Sequence, residues 1–456
     1  MRALGQTTAL RSRASAAQRM LSDFRSSRGV GMRVARGTVW STAGTIAQQG
    51  CLTLASILAA RILGMVAFGE FGLVRSTILT FGALAGSGLA LAATKVVAEH
   101  RSNDAALAGR TIALLFNGAL VAGALAIASC HLLAPWLAVT VMQAPELASA
   151  LRLASILLLL NAVGGVQNGV LLGLEAFKPF SLLLGAEGLL TLIGIGAGSA
   201  LGGLDGAVLG SALGPLLVAL PRHRIMRAEC ARLGIPLPRR GTAAELPLLW
   251  SAVLPAVLIG VSAQPFEWLG RVLLARRPDG YAAVGVFTAA YAWSQLVAFA
   301  ATQLTTPAMP VMANVLATGD RRAFRRLLGV LGLATLGVTI VTVVPVIVLS
   351  GVIMRAYGAD FSPGGTVLAV LAAAYGVSAL STLFRAVLVS TGRFWTQNLH
   401  VVIWGTVLVT GVFLFDRFDA LGLALAYLMA FAVVVVTQGI AAWRALGAHR
   451  PAGATA

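Results

Sequence analysis

The chain has 456 residues, of which 58% are hydrophobic and only 11% are charged, and its formal net charge is +18. A soluble domain normally carries about 25% charged residues, so this composition excludes a soluble protein and indicates an integral membrane protein. The basic charge does not indicate nucleic-acid binding, because the arginines fall between apolar stretches, where membrane proteins carry them.

Residues 1–38 form a basic segment that precedes the first apolar run. They contain eight arginines and a single acid, Asp23, and they are rich in serine and alanine, as transit peptides are. A disordered cytoplasmic arm that fixes the orientation of the first membrane helix explains the same composition more simply. We therefore predict such an arm and keep the transit peptide as the alternative.

Six membrane helices are predicted within residues 39–221. A membrane-spanning helix needs about 20 mostly apolar residues. The apolar stretch that begins at residue 111 runs to 145, so we end its helix near His131 and assign 131–152 to an external segment. The six predicted spans are 39–60, 76–94, 111–131, 153–174, 180–200 and 204–220.

The longest polar stretch of the chain separates these spans from a second set of six. It reads "PRHRIMRAECARLGIPLPRRGTAAE", and we predict a cytoplasmic linker over 222–245. The second half then covers 246–444, and 445–456 form a cytoplasmic tail. The six predicted spans of the second half are 247–269, 281–307, 327–354, 363–389, 394–415 and 421–443.

Basic residues are distributed unequally between the two sides of the predicted membrane protein. The segments on the N-terminal side hold 25 of the 34 lysines and arginines, and the opposite loops and flanks hold six. Because cytoplasmic loops carry the excess of lysine and arginine, both termini are predicted to lie in the cytoplasm.

Two pairs of similar segments indicate that the halves are duplicated. "FGEFGLVRST" aligns with "YAAVGVFTAA" and brings Gly72 onto Gly285, and "LLGLEAFKPF" aligns with "LVSTGRFWTQ" and brings Phe177 onto Phe394. The offsets are 213 and 217 residues, so the spacing is nearly kept. Six spans return the chain to the cytoplasm, so the halves are predicted to be parallel. This favours an alternating-access transporter with a cavity between its halves.

Three stretches carry a resemblance to a known family. They are "LAARILGMVAFGEFGLVRST", "GLALAATKVVAEHR" and "EWLGRVLLARRPDGYAAVGVFTAAYAW". They resemble the polysaccharide-transporter flippases of the multidrug/oligosaccharidyl-lipid/polysaccharide superfamily, and the likeness covers residues 37–444. The stretch "GMVAFGEFG" lacks the proline that is common after the first glycine, and twelve spans differ from the fourteen that are usual for lipid II flippases.

The resemblance implies an all-α polytopic fold like that of MATE transporters, with a central cavity and about 12 transmembrane helices in two six-helix halves. It implies a multi-pass protein of the bacterial inner membrane that exports a lipid-linked oligosaccharide and is coupled to a proton or sodium ion. Membrane lipids, a polysaccharide polymerase and chain-length machinery are the other implied partners. It implies neither hydrolysis nor a bound cofactor. The three cysteines and five histidines show no metal-binding spacing.

Six ionisable residues fall inside or at the ends of predicted spans, where such residues are costly and functional by default. They are Arg75, Arg152, Glu187, Glu267, Arg271 and Arg385. Arginine suits a lipid diphosphate, because its guanidinium pairs bidentately with phosphate and stays charged when buried. We predict that the four arginines contact the diphosphate. The alternative is that arginines near helix ends extend to the lipid headgroups.

Glu267 and Glu187 are the predicted ion-coupling residues. Glu267 and Arg271 stand at i and i+4 on one helix face, with the acid N-terminal, which is the favourable orientation for an ion pair. Pro265 can bend the helix beside them. A static pair at the membrane edge is one interpretation. The other is a switching acid, in which motion of Arg271 makes Glu267 take up and release a proton.

The predicted function is a flippase for polyprenyl-diphosphate-linked oligosaccharides that supplies capsule, exopolysaccharide or O-antigen. A MATE-type multidrug exporter is the first alternative, although its cationic substrates would favour carboxylates and arginine predominates here. A membrane-embedded polysaccharide polymerase or ligase is the second. Such enzymes usually carry a large external loop with catalytic residues, and the longest external segment, 131–152, has Glu146 as its one acid.

Overall fold

The computed structural model describes residues 2–238, 263–317 and 321–448, and within these ranges every regular element is a helix. The prediction of an all-α protein is therefore confirmed. We number the α-helices in chain order: α1 (Arg2–His100), α2 (Ala105–Trp136), α3 (Leu147–Ala154), α4 (Ile156–Gly173), α5 (Phe177–Arg232), α6 (Gln264–Ala275), α7 (Gly280–Ala317), α8 (Arg321–Val348), α9 (Ser350–Tyr357), α10 (Gly365–Ser390), α11 (Phe394–Leu414) and α12 (Asp419–Ala448).

Nine stretches of the described chain are long and apolar enough to cross a membrane. Two of them, in α1 and α5, are each bent at glycine into two arms. The bend lies at Gly64 (φ 78°, ψ 173°) in α1 and at Gly203 (φ 56°, ψ −133°) in α5, and a positive φ is readily available only to glycine. The protein is thus a polytopic membrane protein, with eleven crossings in the described ranges. The predicted span 247–269 lies mostly outside the described residues, and α6 contains its end.

Left-handed backbone conformations recur at matching positions of the two halves. Apart from Gly234, the described residues with positive φ form four pairs, each separated by 215 to 217 residues. The pairs are Gly64 with Asp279, Gln143 with Gly358, Glu175 with Gly392, and Gly203 with Asp419. Because residues other than glycine rarely adopt such φ values, this regular offset supports the duplication that the sequence predicts.

The buried apolar residues form one core that both halves share and two cores that belong to single halves. The shared core includes Leu73 and Met142 from the first half and Tyr427 from the second. The other two contain Val170 and Ala386, which lie in the last turns of α4 and α10, on the side where the chain begins. The shared core therefore joins the halves mainly on the side opposite the termini.

The two halves cross at a pair of glycines on the joined side. A β-carbon at Gly69 of α1 would collide with the carbonyl oxygen of Tyr281, and one at Gly285 of α7 would collide with the carbonyl oxygen of Met65. Gly69 and Gly285 belong to the two repeated segments of the sequence. Only glycine permits backbones to approach so closely.

Side-chain hydrogen bonds reinforce this junction. The hydroxyls of Ser56 and Tyr357 lie 2.9 Å apart, and the indole N–H of Trp293 donates to the Tyr357 oxygen at 3.1 Å. Towards the N-terminal side, the Thr42 hydroxyl donates to Gln303 Oε1 at 3.0 Å.

The segment expected to be an external loop over 131–152 is mostly helical. Helix α2 continues through Trp136, a π-helix covers Leu137–Val141, and α3 follows. These residues stay helical because they pack into the shared core, where Leu137 and Met142 are buried.

Helix α5 continues into the predicted linker as far as Arg232. Arg222, Met226 and Cys230 are spaced four residues apart and are all buried, so this stretch has the inward face of a helix. The remainder of the linker from residue 239 lies outside the described residues. At the N-terminus, α1 begins at Arg2, so the backbone is helical in the arm expected to be disordered.

Candidate functional site

A central cavity lies among the membrane helices and has two adjacent lobes. The interface lobe, with a volume of about 200 Å³, is lined by α1, α6 and α7 and therefore by both halves. The first-half lobe, of about 560 Å³, is lined mainly by α1, α4 and α5. Four residues line both lobes: Leu52, Arg75, Leu79 and Gln264.

Arg75 occupies the junction of the two lobes. It lies on the second arm of α1, where its neighbours Val74 and Ser76 are buried while Arg75 itself is exposed. Because Arg75 lines both lobes, its exposed surface faces the cavity. The side chain predicted to contact a diphosphate is thus accessible to a substrate inside the protein.

Arg271 and Glu267 form a buried ion pair on α6, beside the same lobe. Arg271 Nη2 lies 3.6 Å from Glu267 Oε2, and their side chains are 8% and 12% exposed. The guanidinium carbon of Arg271 lies 4.3 Å from the centroid of the Tyr291 ring. Arg271 lines the interface lobe together with Arg75. The i, i+4 pair predicted from the sequence is therefore present, and it lies next to the cavity.

Tyr291 on α7 forms a hydrogen bond with the Glu267 carboxylate of this pair and a second one with Gln295. Its hydroxyl donates to Glu267 Oε2 at 2.7 Å and accepts from Gln295 Nε2 at 2.6 Å. The bond from Gln295 orients the hydroxyl so that its own proton is directed at the carboxylate. Sequence analysis missed Tyr291, although Tyr291 and Gln295 stand at i and i+4 in α7.

Glu187 is paired in the first half of the protein. Its carboxylate forms an ion pair with Arg222, whose side chain is 3% exposed, and it accepts a hydrogen bond from Gln48 Nε2 at 3.4 Å. Glu187 lines the first-half lobe. Sequence analysis placed Arg222 in the linker, but the spacing of Arg222, Met226 and Cys230 is the signal that it belongs to a helix.

The structure does not bring the other two predicted arginines to the cavity. Arg152 lies in the last turn of α3 rather than at the start of the fourth span, and it is exposed. Arg385 is partly buried on α10, and its Nε has no hydrogen-bond partner among the described residues. Neither residue lines either lobe.

Among the described residues, the charged side chains that line the two lobes are those of Arg75, Arg271 and Glu187. Glu187 is neutralised by Arg222, and Arg271 is paired with Glu267, so the excess positive charge of the described lining comes from Arg75. Such a cavity favours an anion, and two guanidinium groups match phosphate oxygens in geometry. Within the described ranges, no group of three or more His, Cys, Asp or Glu side chains is placed to hold a metal ion.

Comparisons with known proteins agree with this architecture. Residues 34–316 match the model of a family described as polysaccharide biosynthesis protein. Curated protein sequences contain no match.

Solved structures of transporters superpose on most of the chain. A multidrug resistance MATE family transporter of the MOP superfamily, in an inward-facing conformation, has a TM-score of 0.77 at 14% identity, covering 90% of this chain and 98% of that one. The lipid II flippase MurJ, in an inward closed conformation, has a TM-score of 0.69 at 17% identity, covering 88% and 87%. A MOP superfamily transporter from Pyrococcus furiosus Vc1, described as having a binding pocket of reverse polarity, has a TM-score of 0.62 at 14% identity, covering 91% and 96%. The MATE-like fold that the sequence predicts is confirmed.

Proposed function

Since the chain belongs to the polysaccharide biosynthesis protein family, we propose that this transporter is a flippase for polyprenyl-diphosphate-linked oligosaccharides. It moves the repeat units of a surface polysaccharide across the bacterial inner membrane by alternating access. The observation that carries the proposal is the interface lobe, where Arg75 of the first half and Arg271 of the second line one cavity. A diphosphate held between them contacts both halves at once.

The first-half lobe suits the sugar part of such a substrate. It is the larger of the two lobes, and its lining includes the polar side chains of Gln48, Asn161 and Ser211. Amide and hydroxyl groups can donate to and accept from sugar hydroxyls. Arg75 lies at the junction of the lobes, so a diphosphate bound there leaves the glycan directed into this polar space.

The ion pair on α6 provides a coupling mechanism. Arg271 is paired with Glu267, and an arriving diphosphate competes for the same guanidinium. When Arg271 turns to the phosphate, Glu267 loses its cation and becomes a site for a proton. Once the protein faces outward, the substrate leaves and Glu267 takes up a proton from that side. The return of Arg271 to Glu267 in the inward-facing state displaces this proton into the cytoplasm, so the proton moves in the direction opposite to the substrate. We propose a proton rather than sodium, because the described contacts of the Glu267 carboxylate are an arginine and a tyrosine hydroxyl and not a set of oxygen ligands for a metal cation.

The charge of the cavity disfavours the first alternative function, and the fold disfavours the second. A multidrug exporter of cations requires an available carboxylate, and Glu187, the one carboxylate among the described residues that line the lobes, is already paired with Arg222. A polymerase or ligase requires a catalytic set on an external segment. The described external segment around α3 is helical and packed into the shared core.

Reconstituted protein tests the proposal. Flipping of a fluorescent polyprenyl-diphosphate oligosaccharide is measured in proteoliposomes for Arg75→Ala and Arg75→Lys. We expect Arg75→Ala to lose at least about tenfold in rate, since hydrogen bonds to charged groups contribute about 1.5–3 kcal/mol. Lysine should restore only part of the rate, because it keeps the charge and loses the planar fork.

Arg276→Ala is the matched control, because Arg276 is an exposed arginine that lines neither lobe. Its rate should equal that of the parent. If Arg75→Ala flips the substrate at the normal rate at equal protein incorporation, the diphosphate does not bind in the interface lobe. Export of cationic dyes with no flipping of the lipid substrate would support the exporter instead.

A further inference from the structure

A separate groove lies on the perimeter of the first half, between α2 and the end of α5. It has a volume of about 330 Å³, and its lining includes Phe116 and Asn117 of α2 and His223 and Arg227 of α5. The rings of Phe116 and His223 contact each other, with their centroids 5.4 Å apart. The segment after α5 closes one end of the groove, because Pro236 packs against the first turns of α2.

The groove faces lipid rather than the central cavity. Helix α2 packs on α1, α3 and α4, all in the first half. On its outer surface Leu120, Val121 and Leu125 are 40%, 60% and 63% exposed. None of the groove residues lines either lobe of the cavity.

The helix lengths place the groove at the level of lipid headgroups. Twenty helical residues span about 30 Å, the thickness of the hydrocarbon layer. Counted from the exposed Trp136 at the far end of α2, this distance ends near Asn117. Counted from the bend of α5 at Gly203, it ends near His223. Arg227, one turn further along α5, therefore lies among the headgroups on the N-terminal side, which the distribution of arginine predicts to be cytoplasmic.

The polar groups of the groove are suited to an anion. Arg227 is exposed and has no ion-pair partner within the described ranges. His223 Nδ1 is buried and has no hydrogen-bond partner in the described part of the chain. A neutral imidazole carries one proton, and a buried unpaired acceptor costs less than a buried unpaired N–H, so the proton belongs on Nε2. The Nε2–H group then needs an acceptor.

We propose that this groove binds the phosphate headgroup of an anionic phospholipid from the cytoplasmic leaflet. Arg227 pairs with the phosphate, His223 donates to it from Nε2, and the apolar side chains of Leu237 and Phe116 receive the start of the acyl chains. Basic pockets between membrane helices on the cytoplasmic side bind such headgroups in general. The site is independent of the transported substrate.

Purified full-length protein in neutral detergent tests this site. Phosphatidylglycerol or phosphatidylcholine of the same acyl chains is titrated into the micelles, and the midpoint of thermal unfolding is followed by tryptophan fluorescence. A ligand that binds only the folded state raises the midpoint in proportion to its occupancy. We expect phosphatidylglycerol to raise it in a saturable manner and phosphatidylcholine to leave it nearly unchanged. Arg227→Ala and His223→Ala should each weaken the apparent affinity about tenfold.

Arg224→Ala is the matched control, because Arg224 is an exposed arginine on the same turn of α5 that does not line the groove. It should bind phosphatidylglycerol as the parent does. If Arg224→Ala and Arg227→Ala weaken the apparent affinity for phosphatidylglycerol equally, the effect comes from general surface charge and the proposed site is wrong. An equal response to the two lipids would overturn it as well. If inorganic phosphate alone reproduces the shift and competes with the lipid, the groove is a free-phosphate site and the lipid assignment is wrong. Should Arg227→Ala fold poorly, Arg227→Lys with native mass spectrometry of retained lipid gives the same comparison.

Discussion

Removal of Arg222 should destabilise the protein strongly, and the structure sets the size of the effect. Arg222 is 2% exposed and pairs with Glu187, whose side chain is 16% exposed. Breaking a buried ion pair by removing one partner costs about 3–5 kcal/mol, because the remaining charge is left uncompensated. Glu187 retains some access to the cavity, so we expect Arg222→Met to lie near the lower limit, at about 3 kcal/mol.

The double variant Arg222→Met with Glu187→Gln separates this cause from loss of packing. With both charges removed, stability should return to within about 1 kcal/mol of the parent, since no buried charge is left without its partner. Thermal unfolding of the purified protein measures both. For a chain of 456 residues, an unfolding entropy of about 2.1 cal/mol/K per residue converts 3 kcal/mol into a loss of about 3 °C in Tm.

Arg224→Met is the control, because it removes an exposed arginine two residues away. It should unfold at the temperature of the parent. Equal unfolding temperatures for Arg222→Met and Arg224→Met would refute the argument from burial. Failure of the double variant to recover would show that the pair contributes through packing rather than through charge.

Two further predictions concern coupling and topology. Glu267→Gln should abolish the acceleration of flipping by an imposed pH gradient while substrate binding survives. The control Asp360→Asn, which changes an exposed acid, should leave the acceleration intact. A Glu267→Gln protein that still responds to the gradient would leave Glu187 as the acid to test. Single cysteines placed at Arg232 and Asp279, in a background without the native cysteines, should react with a membrane-impermeant thiol reagent in intact cells at 279 and not at 232, and the reverse pattern would invert the predicted orientation.

Features that depend on residues close in sequence were predicted well. The spans 363–389 and 394–415 agree with α10 and α11 to within two residues at each end, because a run of apolar residues determines a membrane helix by itself. Glu267 and Arg271 are one turn apart, so their pairing follows from helix geometry. Even so, the sequence could not show that Arg271 also lines a cavity with Arg75.

Features that depend on the packing of distant segments were missed. Arg222 pairs with Glu187 across the bend of α5, and Tyr291 reaches Glu267 from another helix. No local pattern links these partners. We also predicted from hydropathy that the third span ends near residue 131, because such a prediction assumes that a helix stops at the membrane surface. Packing of Leu137 and Met142 in the shared core keeps the chain helical beyond that point.

The four candidate arginines also show the difference between what the sequence predicts and what depends on packing. All four were chosen because they are charged residues in apolar surroundings, which is a property of the sequence. Whether such a residue faces a cavity depends on how its helix is rotated within the bundle. Arg75 and Arg271 face the interface lobe, whereas Arg152 is on an exposed outer turn.

The glycine crossing at Gly69 and Gly285 has a consequence for the balance between conformations. Separation of the halves at that point would uncover the shared core beside the glycines, where Phe68 and Phe287 are buried, so apolar burial stabilises the closed arrangement. A β-branched residue at either position would be incompatible with the closed arrangement but not with a separated one. The relative population of the two conformations is therefore adjustable at a position that lines neither lobe of the cavity, and a substitution there would shift the equilibrium between the conformations.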